Sequence, residues 1–411
     1  MKKIILAIFL ICTSLISKAQ GLYYNTWCFG DSAMFRYNSG TFDSSIPCSM
    51  TSYETCASIS DSLGNLLFYT NGIKIFNKLH QQMPNADSIN FGPFSPAFGS
   101  STTQGSVILK KPGSSSEYYV FFLIAQLQNP PLHYCIVDMN LDSGNGDVAI
   151  KNQYIYNDSL TEKMCAVKHG NGRDWWLYLH KPRENTFVRF LISNQGVSVP
   201  YYQTIGSNWF QDDIISQMCI SPDGSKLAEV SFDHIDVFNL DRCTGLLSEF
   251  KNIVQYQYPN PGTYGCAFSP NDKFLYVSTL DSLLQIPLTV TQSYANRHLV
   301  YYEPFANNYY QSIYPITINQ LENLDGKIVV ACGLVGTLHI HLPPYNTSLS
   351  LINQPDSSLS VCDFQPYSIP LQHGTIIADL PNMPNYNLGV LQNSSCDTIT
   401  TINNQIQKNN F

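Results

Sequence analysis

The sequence predicts an all-β fold: a single β-propeller of seven blades, with six or eight as neighbouring counts, closed by its N- and C-terminal strands. Three observations predict it. From Gly21 onward, short apolar or alternating runs recur between clusters of Gly, Pro, Asn and Asp, the pattern of strands and turns. The runs group into units of about fifty residues, a period that belongs to propellers and solenoids. No segment in this region sustains a helical period.

The chain opens with Met1, Lys2 and Lys3, followed by an apolar run from Ile4 to Ile16 and the small residues Ser17 and Ala19 around Lys18. This is the pattern of a secretory signal peptide over 1–19. The apolar run is too short for a spanning helix, and Ile11 before Cys12 disfavours a lipid-anchored cysteine. The propeller is assigned to 20–390.

The repeat is clearest in mid-chain. Cys219-Ile220 leads into the turn Ser221-Pro222-Asp223-Gly224, then strands over Lys226 to Phe232, His234 to Leu240 and Leu246 to Phe250. Cys266-Ala267-Phe268 leads into Ser269-Pro270-Asn271-Asp272, with strands over Phe274 to Thr279 and Leu283 to Leu288. Pro presets φ in such turns, and Asp, Asn and Gly tolerate the reversal. Upstream, Cys56 to Ser60, Leu66 to Thr70 and Ile73 to Asn77 flank the hairpin signal Asn71-Gly72. Ser106 to Lys110 and Tyr118 to Ile124 follow, then Cys165 to His169, Trp175 to His180 and Phe187 to Ile192. Downstream lie Pro315 to Ile318, Lys327 to Cys332 and Thr337 to Leu342. Six units thus start near residues 55, 105, 165, 218, 265 and 315. The leftover pieces, Trp27 to Tyr37 and Ser360 to Phe364, are expected to combine as a seventh blade, because a ring with open ends leaves edge strands exposed. After Pro366 the strand pattern fades, and 391–411 reads as a polar linker or disordered tail.

Composition restricts partners. Removing Lys2, Lys3 and Lys18 with the signal leaves 19 basic residues against 30 acidic ones, a net charge near −11. Such a chain matches nucleic acid and anionic membrane poorly, and no membrane insertion is expected after signal removal. Charged residues make up only 13% and the chain holds 26 tyrosines, a polar, weakly charged and aromatic composition that argues against disorder. Of 12 cysteines, Cys12 leaves with the signal. The odd remainder requires a free or externally paired thiol. No C-x-x-C spacing occurs, and the repeated cysteines read as small buried apolar residues.

Five stretches resemble one protein group: TWCFGDSAMFRYNSG, ETCASISDSLGNLLFYTNGIKIFNKLHQQMPN, HYCIVDMNLDSGNGDVAIKN, TEKMCAVKHGNGRDWWLYLHK, and the pair MCISPDGSKLA and CAFSPNDKFLYVS. Together they are similar to the N-terminal propeller of secreted Bacteroidetes proteins that carry a type IX secretion sorting domain, often with PKD-type or gliding-motility-associated modules. The resemblance implies export, a propeller, and residence outside the cell or on its outer surface after periplasmic transit. It implies no catalytic residue. In that group a sorting domain follows a polar linker like Thr398 to Phe411, and continuation into such a domain is an expectation here. Six Asp-Ser/Thr-x triplets whose third residue is Ala, Leu or Ile, at Ser32, Ser62, Ser88, Ser159, Ser282 and Thr398, are similar to that group's O-glycosylation acceptor pattern. Turn chemistry at strand entries is the competing explanation.

No Walker loop, H-E-x-x-H, G-x-S-x-G or EF-hand loop occurs, so no cofactor and no metal site is assigned. Asp142 to Asp147 reads as a hairpin turn. His339 and His341 share a strand face without a third ligand. Trp175 and Trp176 point to opposite faces of a strand, and at least one reads as core packing between blades. Tyr301, Tyr302, Tyr309, Tyr310 and Tyr314 form an aromatic run suited to sugar or protein contact. Propellers gather polar side chains where inner strands meet the central channel, and the candidates near strand starts are Glu54, Glu162 and Asp213. Converging carboxylates there would hold a metal or shift one another's pKa. The expected function is a non-catalytic module that binds protein or glycan. The alternative is a propeller hydrolase or lyase with a metal in the channel.

Overall fold

The computed structural model describes residues 21–392 apart from 88, 90–98, 124–130, 209–213, 233, 256–261, 292, 305–315 and 335–340, together with Ser394 and Cys396. Between Thr26 and Pro370 the described elements are strands, apart from 3-10 turns at Asp142–Gly144 and Leu359–Cys362. The strands form seven separate sheets. The fold is the seven-bladed all-β propeller expected.

Blade 1 holds Thr26–Phe29, Ala33–Asn38 and Thr41–Asp43; blade 2 holds Ala57–Ser60, Leu66–Thr70 and Ile75–Asn77. Blade 3 runs Ser106–Lys110, Glu117–Phe122, Leu132–Asp138 and Asp147–Tyr156. Blade 4 runs Met164–Lys168, Trp175–His180 and Thr186–Ser193, with Gly196–Val197 and Tyr201–Thr204 both on its outer edge. Blade 5 is Met218–Ile220, Lys226–Val230, His234–Asp241 and Leu246–Gln255; blade 6 is Cys266–Phe268, Phe274–Ser278, Ser282–Pro287 and His298–Tyr302. Blade 7 is Ile316–Leu324, Lys327–Leu334, Ser348–Ile352 and Phe364–Pro370. The first strand of each blade is the innermost, and its turn to the second strand carries the repeat signature. In blade 5, Asp223 Oδ1 accepts from the Ser221 hydroxyl at 2.7 Å and the Ser225 N–H at 2.8 Å. In blade 6, Asn271 Oδ1 takes the same place at 2.9 and 3.1 Å. Gly224 (φ 76°) and Asp272 (φ 57°) hold the left-handed position that closes each turn, one that Gly and Asp tolerate.

Apolar clusters link neighbouring blades around the whole ring. One joins blades 2, 3 and 4, and others join 4 to 5, 5 to 6 and 6 to 7. The last packs Trp27, Phe29 and Phe35 of blade 1 against Val329, Ala331, Leu349 and Leu351 of blade 7. Trp175 belongs to the first of these and Trp176 to the second, so the two rings serve opposite interfaces of blade 4, as their alternation predicts.

The chain ends close the ring, but not by sharing a sheet. The N-terminal residues form blade 1 unaided. Ser360 to Cys362 lies in a 3-10 turn, and the last strand, Phe364–Pro370, completes blade 7 against Ser348–Ile352. Asp363 takes φ 54°, which ends the turn and delays the strand past the expected Ser360 to Phe364. Beyond Pro370 the chain forms a strap. Asp31 and Thr375 exchange both backbone bonds, at 2.8 and 3.0 Å. The strap then reaches Gly170 through Leu391, and Cys396 forms a disulfide with Cys243 in blade 5.

Candidate functional site

The ring axis is held by three glutamines, each bound as a strand would be. The Gln104 amide pairs with the Met218 main chain, donating at 3.0 Å and accepting at 2.8 Å, and so ties blade 3 to blade 5. Gln217 donates to Leu321 O at 2.9 Å and accepts from the N–H groups of Cys266 and Leu321 at 3.0 and 3.3 Å, tying blade 5 to blades 6 and 7. Gln320 donates to Thr103 O at 2.6 Å and accepts from Leu380 N–H at 2.7 Å, tying blade 7 to blade 3 and the strap. All three are buried. The inner strands belong to separate sheets and do not pair with one another, and long amides with one donor face and one acceptor supply ladder-like bonds between them. The strap adds Asn382, whose Nδ2 donates to Ser106 O and Met164 O at 3.2 and 2.8 Å.

Carboxylates gather where the inner strands begin. Glu162 is buried and accepts from the Thr103 N–H at 2.9 Å and its hydroxyl at 3.2 Å. Burial pushes the Glu54 carboxyl well up, and the Glu162 and Asp379 carboxylates add to the shift. Asp379, fully buried on the strap, is raised by burial against the lowering effect of the Cys56 thiol, Ser52 and the Gly30 N–H. Tyr264 lies among them, its hydroxyl 3.5 Å from Thr103 Oγ1. Two of the three residues singled out from sequence therefore converge, and Asp213 lies outside the described residues. Asp379 was missed. Its signal was a lone acid inside the apolar run Ile376 to Leu380. Among the described residues, no group of three or more His, Cys, Asp or Glu side chains is placed to hold a metal ion.

A cavity of about 270 Å³ opens where the inner strands end, under the strap. Its wall combines Gln104, Gln217, Met218 and Leu321 with strap residues Met383 and Asn385. Gln104 and Gln217 face it, while Gln320 holds Thr103 on the acidic side, so the amide belt stands between the cavity and the carboxylates. Glu322 also lines the cavity, and burial raises its carboxyl from the ordinary 4.5 to about 8, offset in part by the Asn323 N–H. At neutral pH it is mostly the uncharged acid, a donor as well as an acceptor. Among the described residues no Lys, Arg or His lines this cavity, and Asp325 is a second acid on its wall.

The remaining sequence candidates scatter. Ser62 is exposed on a turn where Asp61 Oδ1 accepts from the Leu63 and Asn65 N–H groups at 2.8 and 2.9 Å. Ser32, Ser159 and Ser282 are half-buried. Ser88 and Thr398 lie outside the described residues, as do His339, Tyr309, Tyr310 and Tyr314. His341 is exposed. Tyr301 packs on Phe364 with ring centroids 5.0 Å apart, and Tyr302 is exposed. Asp142 to Asp147 forms the hairpin between two blade 3 strands, as expected.

No protein-family model and no curated protein matches the chain. Solved structures of similar shape include the "putative 6-phosphogluconolactonase" of Bacteroides uniformis, at 12% identity over 87% of this chain and 98% of that one, with a TM-score of 0.48. The β-propeller domain of Cps50 (Swd1) from Myceliophteria thermophila matches at 11% identity over 76% and 94%, with a TM-score of 0.43. The periplasmic gluconolactonase of Pseudomonas aeruginosa matches at 12% identity over 75% and 93%, with a TM-score of 0.39. Likenesses this distant carry no functional weight, and the architecture rests on the strand pairing above.

Proposed function

We propose that this chain is an exported binding module, resident outside the cell or on its surface, that holds the end of a neutral glycan in the axial cavity without reacting with it. The cavity carries the reading. Its volume suits one sugar ring rather than a protein segment, and it sets amides and the carboxyl groups of Glu322 and Asp325 beside apolar side chains, the mixture that fixes a small polyol. With two acids and no Lys, Arg or His among the described wall residues, an anionic ligand finds no counter-charge. Export is supported by the signal pattern of Met1 to Ala19 and by the Cys243–Cys396 disulfide, since disulfides persist in oxidising compartments.

The test is calorimetric titration with a panel of neutral mono- and oligosaccharides, on the parent chain and on Leu388→Trp, which fills the cavity from the strap. Saturable binding that falls at least about tenfold in the variant, roughly 1.4 kcal/mol, is expected. Binding of equal strength in both chains, or none in the parent, overturns the reading. One observation favours a second reading. A carboxyl protonated at neutral pH is a competent general acid, so Glu322 could serve a hydrolase or lyase. Product formation abolished in Glu322→Gln with binding retained would establish it.

A further inference from the structure

Two thiols meet on the wall of the axial cavity. Cys219 and Cys266, on the inner strands of blades 5 and 6, place their Sγ atoms 3.2 Å apart, and both line the cavity. Among the described residues nine cysteines are free, and Cys219 alone of them is half-buried rather than fully buried. Cys266 and Cys219 pack in the same interblade cluster. A bond of about 2.05 Å asks the sulfurs to approach by roughly 1 Å.

We propose that Cys219 and Cys266 form a reversible dithiol–disulfide site that faces the cavity, with small-molecule disulfides as its oxidant class. In the first step Cys219 gives its proton to water. Its thiolate attacks one sulfur of the disulfide R–S–S–R, forming the mixed disulfide Cys219 Sγ–S–R and expelling RS⁻, which takes up a proton. Cys266 then loses its proton and attacks the Cys219 sulfur, expelling the second RS⁻. Two protein thiols are oxidised to one disulfide, and one small disulfide is reduced to two thiols. Burial and the Cys266 thiol hold the Cys219 proton tightly, so exchange is slow at neutral pH and accelerates as pH rises. The product staples blades 5 and 6 on the cavity wall that also carries Glu322.

The test treats the native chain, its Cys243–Cys396 disulfide intact, with bis(2-hydroxyethyl) disulfide at mildly alkaline pH. Thiols are then counted after denaturation and peptides mapped by mass spectrometry. The expected result is the loss of two thiols and two hydrogens, a peptide pair linked through Cys219 and Cys266, and reversal by a monothiol reductant. Cys266→Ser should stop at a mercaptoethanol adduct on Cys219, and Cys219→Ser should leave Cys266 unreacted. A stable adduct on Cys219 in the parent, linkage of a different pair, or no reaction in the native chain overturns the proposal. The parent's own peptide map decides it even where a variant folds poorly.

Discussion

Replacing Glu322 with Gln separates the cavity's electrostatics from its shape. The carboxyl has an ordinary value of 4.5 and is raised to about 8 by burial. The folded chain therefore binds this proton more tightly than the unfolded chain does. Stability is fully present below the unfolded value, falls as pH climbs through the window, and levels off above about 8. A shift of about 3.5 units at 1.36 kcal/mol each sets a ceiling of roughly 5 kcal/mol, and water entering the cavity lowers it. Gln has nearly the shape of the protonated acid and never ionises, so the variant lacks this loss. Urea unfolding at about pH 5, 7 and 9 should show near-equal stabilities at the acid end and a growing advantage for Glu322→Gln toward the alkaline end. Parallel pH profiles, matching within about 0.5 kcal/mol at every pH, would refute the raised carboxyl and with it the uncharged form of Glu322 on the cavity wall.

Gln217→Ala removes two-point pairing with Leu321 and strands the Cys266 N–H, which should cost about 2–4 kcal/mol of unfolding free energy; a loss under 1 kcal/mol would mean the axis is held by packing alone. Lys163 is fully buried with its Nζ 3.4 Å from Glu229 Oε1, and His180 Nε2 lies 3.8 Å from the same carboxylate. Lys163→Met should destabilise by about 3–5 kcal/mol, and the double variant with Glu229→Leu should recover most of it; denaturation midpoints of the cycle decide this. Cys396→Ser opens a loop of 153 residues, for which chain entropy sets a ceiling of about 5 kcal/mol. Thermal unfolding should show the drop, and limited proteolysis should cut first in the strap; an unchanged midpoint would show that the strap's hydrogen bonds suffice.

Much of the ring was legible because it is written locally. Turns such as Ser221 to Gly224 and Asn71-Gly72 announce themselves within four residues, and the strands between them must bury one or both faces. The six unit starts read from sequence fall within two residues of the observed inner strands Ala57–Ser60, Ser106–Lys110, Met164–Lys168, Met218–Ile220, Cys266–Phe268 and Ile316–Leu324. Trp175 and Trp176 were legible for the same reason, since alternation alone sends them to opposite interfaces.

The axis was not legible, because it is where residues far apart in sequence meet. Gln104, Gln217 and Gln320 look like any polar residue before a strand, and only the closed ring shows that their amides span it. The strap was hidden differently. Its prolines and lack of alternation suggested a fading chain, yet its backbone lies against other backbones. A Cβ on Gly333 would stand 1.8 Å from Ile377 O, and one on Gly30 would stand 2.0 Å from Thr375 O. Neither contact leaves room for a side chain, so these glycines mark where the strap docks on blades 7 and 1. Gly30 also has φ 55°, and at both positions close approach explains the residue. That contact is what makes a shared closing sheet unnecessary. Blade 1 is held on one side by the apolar face of blade 7 and along its inner end by the strap. A seam built from packing and one backbone bridge leaves the three-stranded blade complete in itself, and the C-terminal chain free to cover the channel.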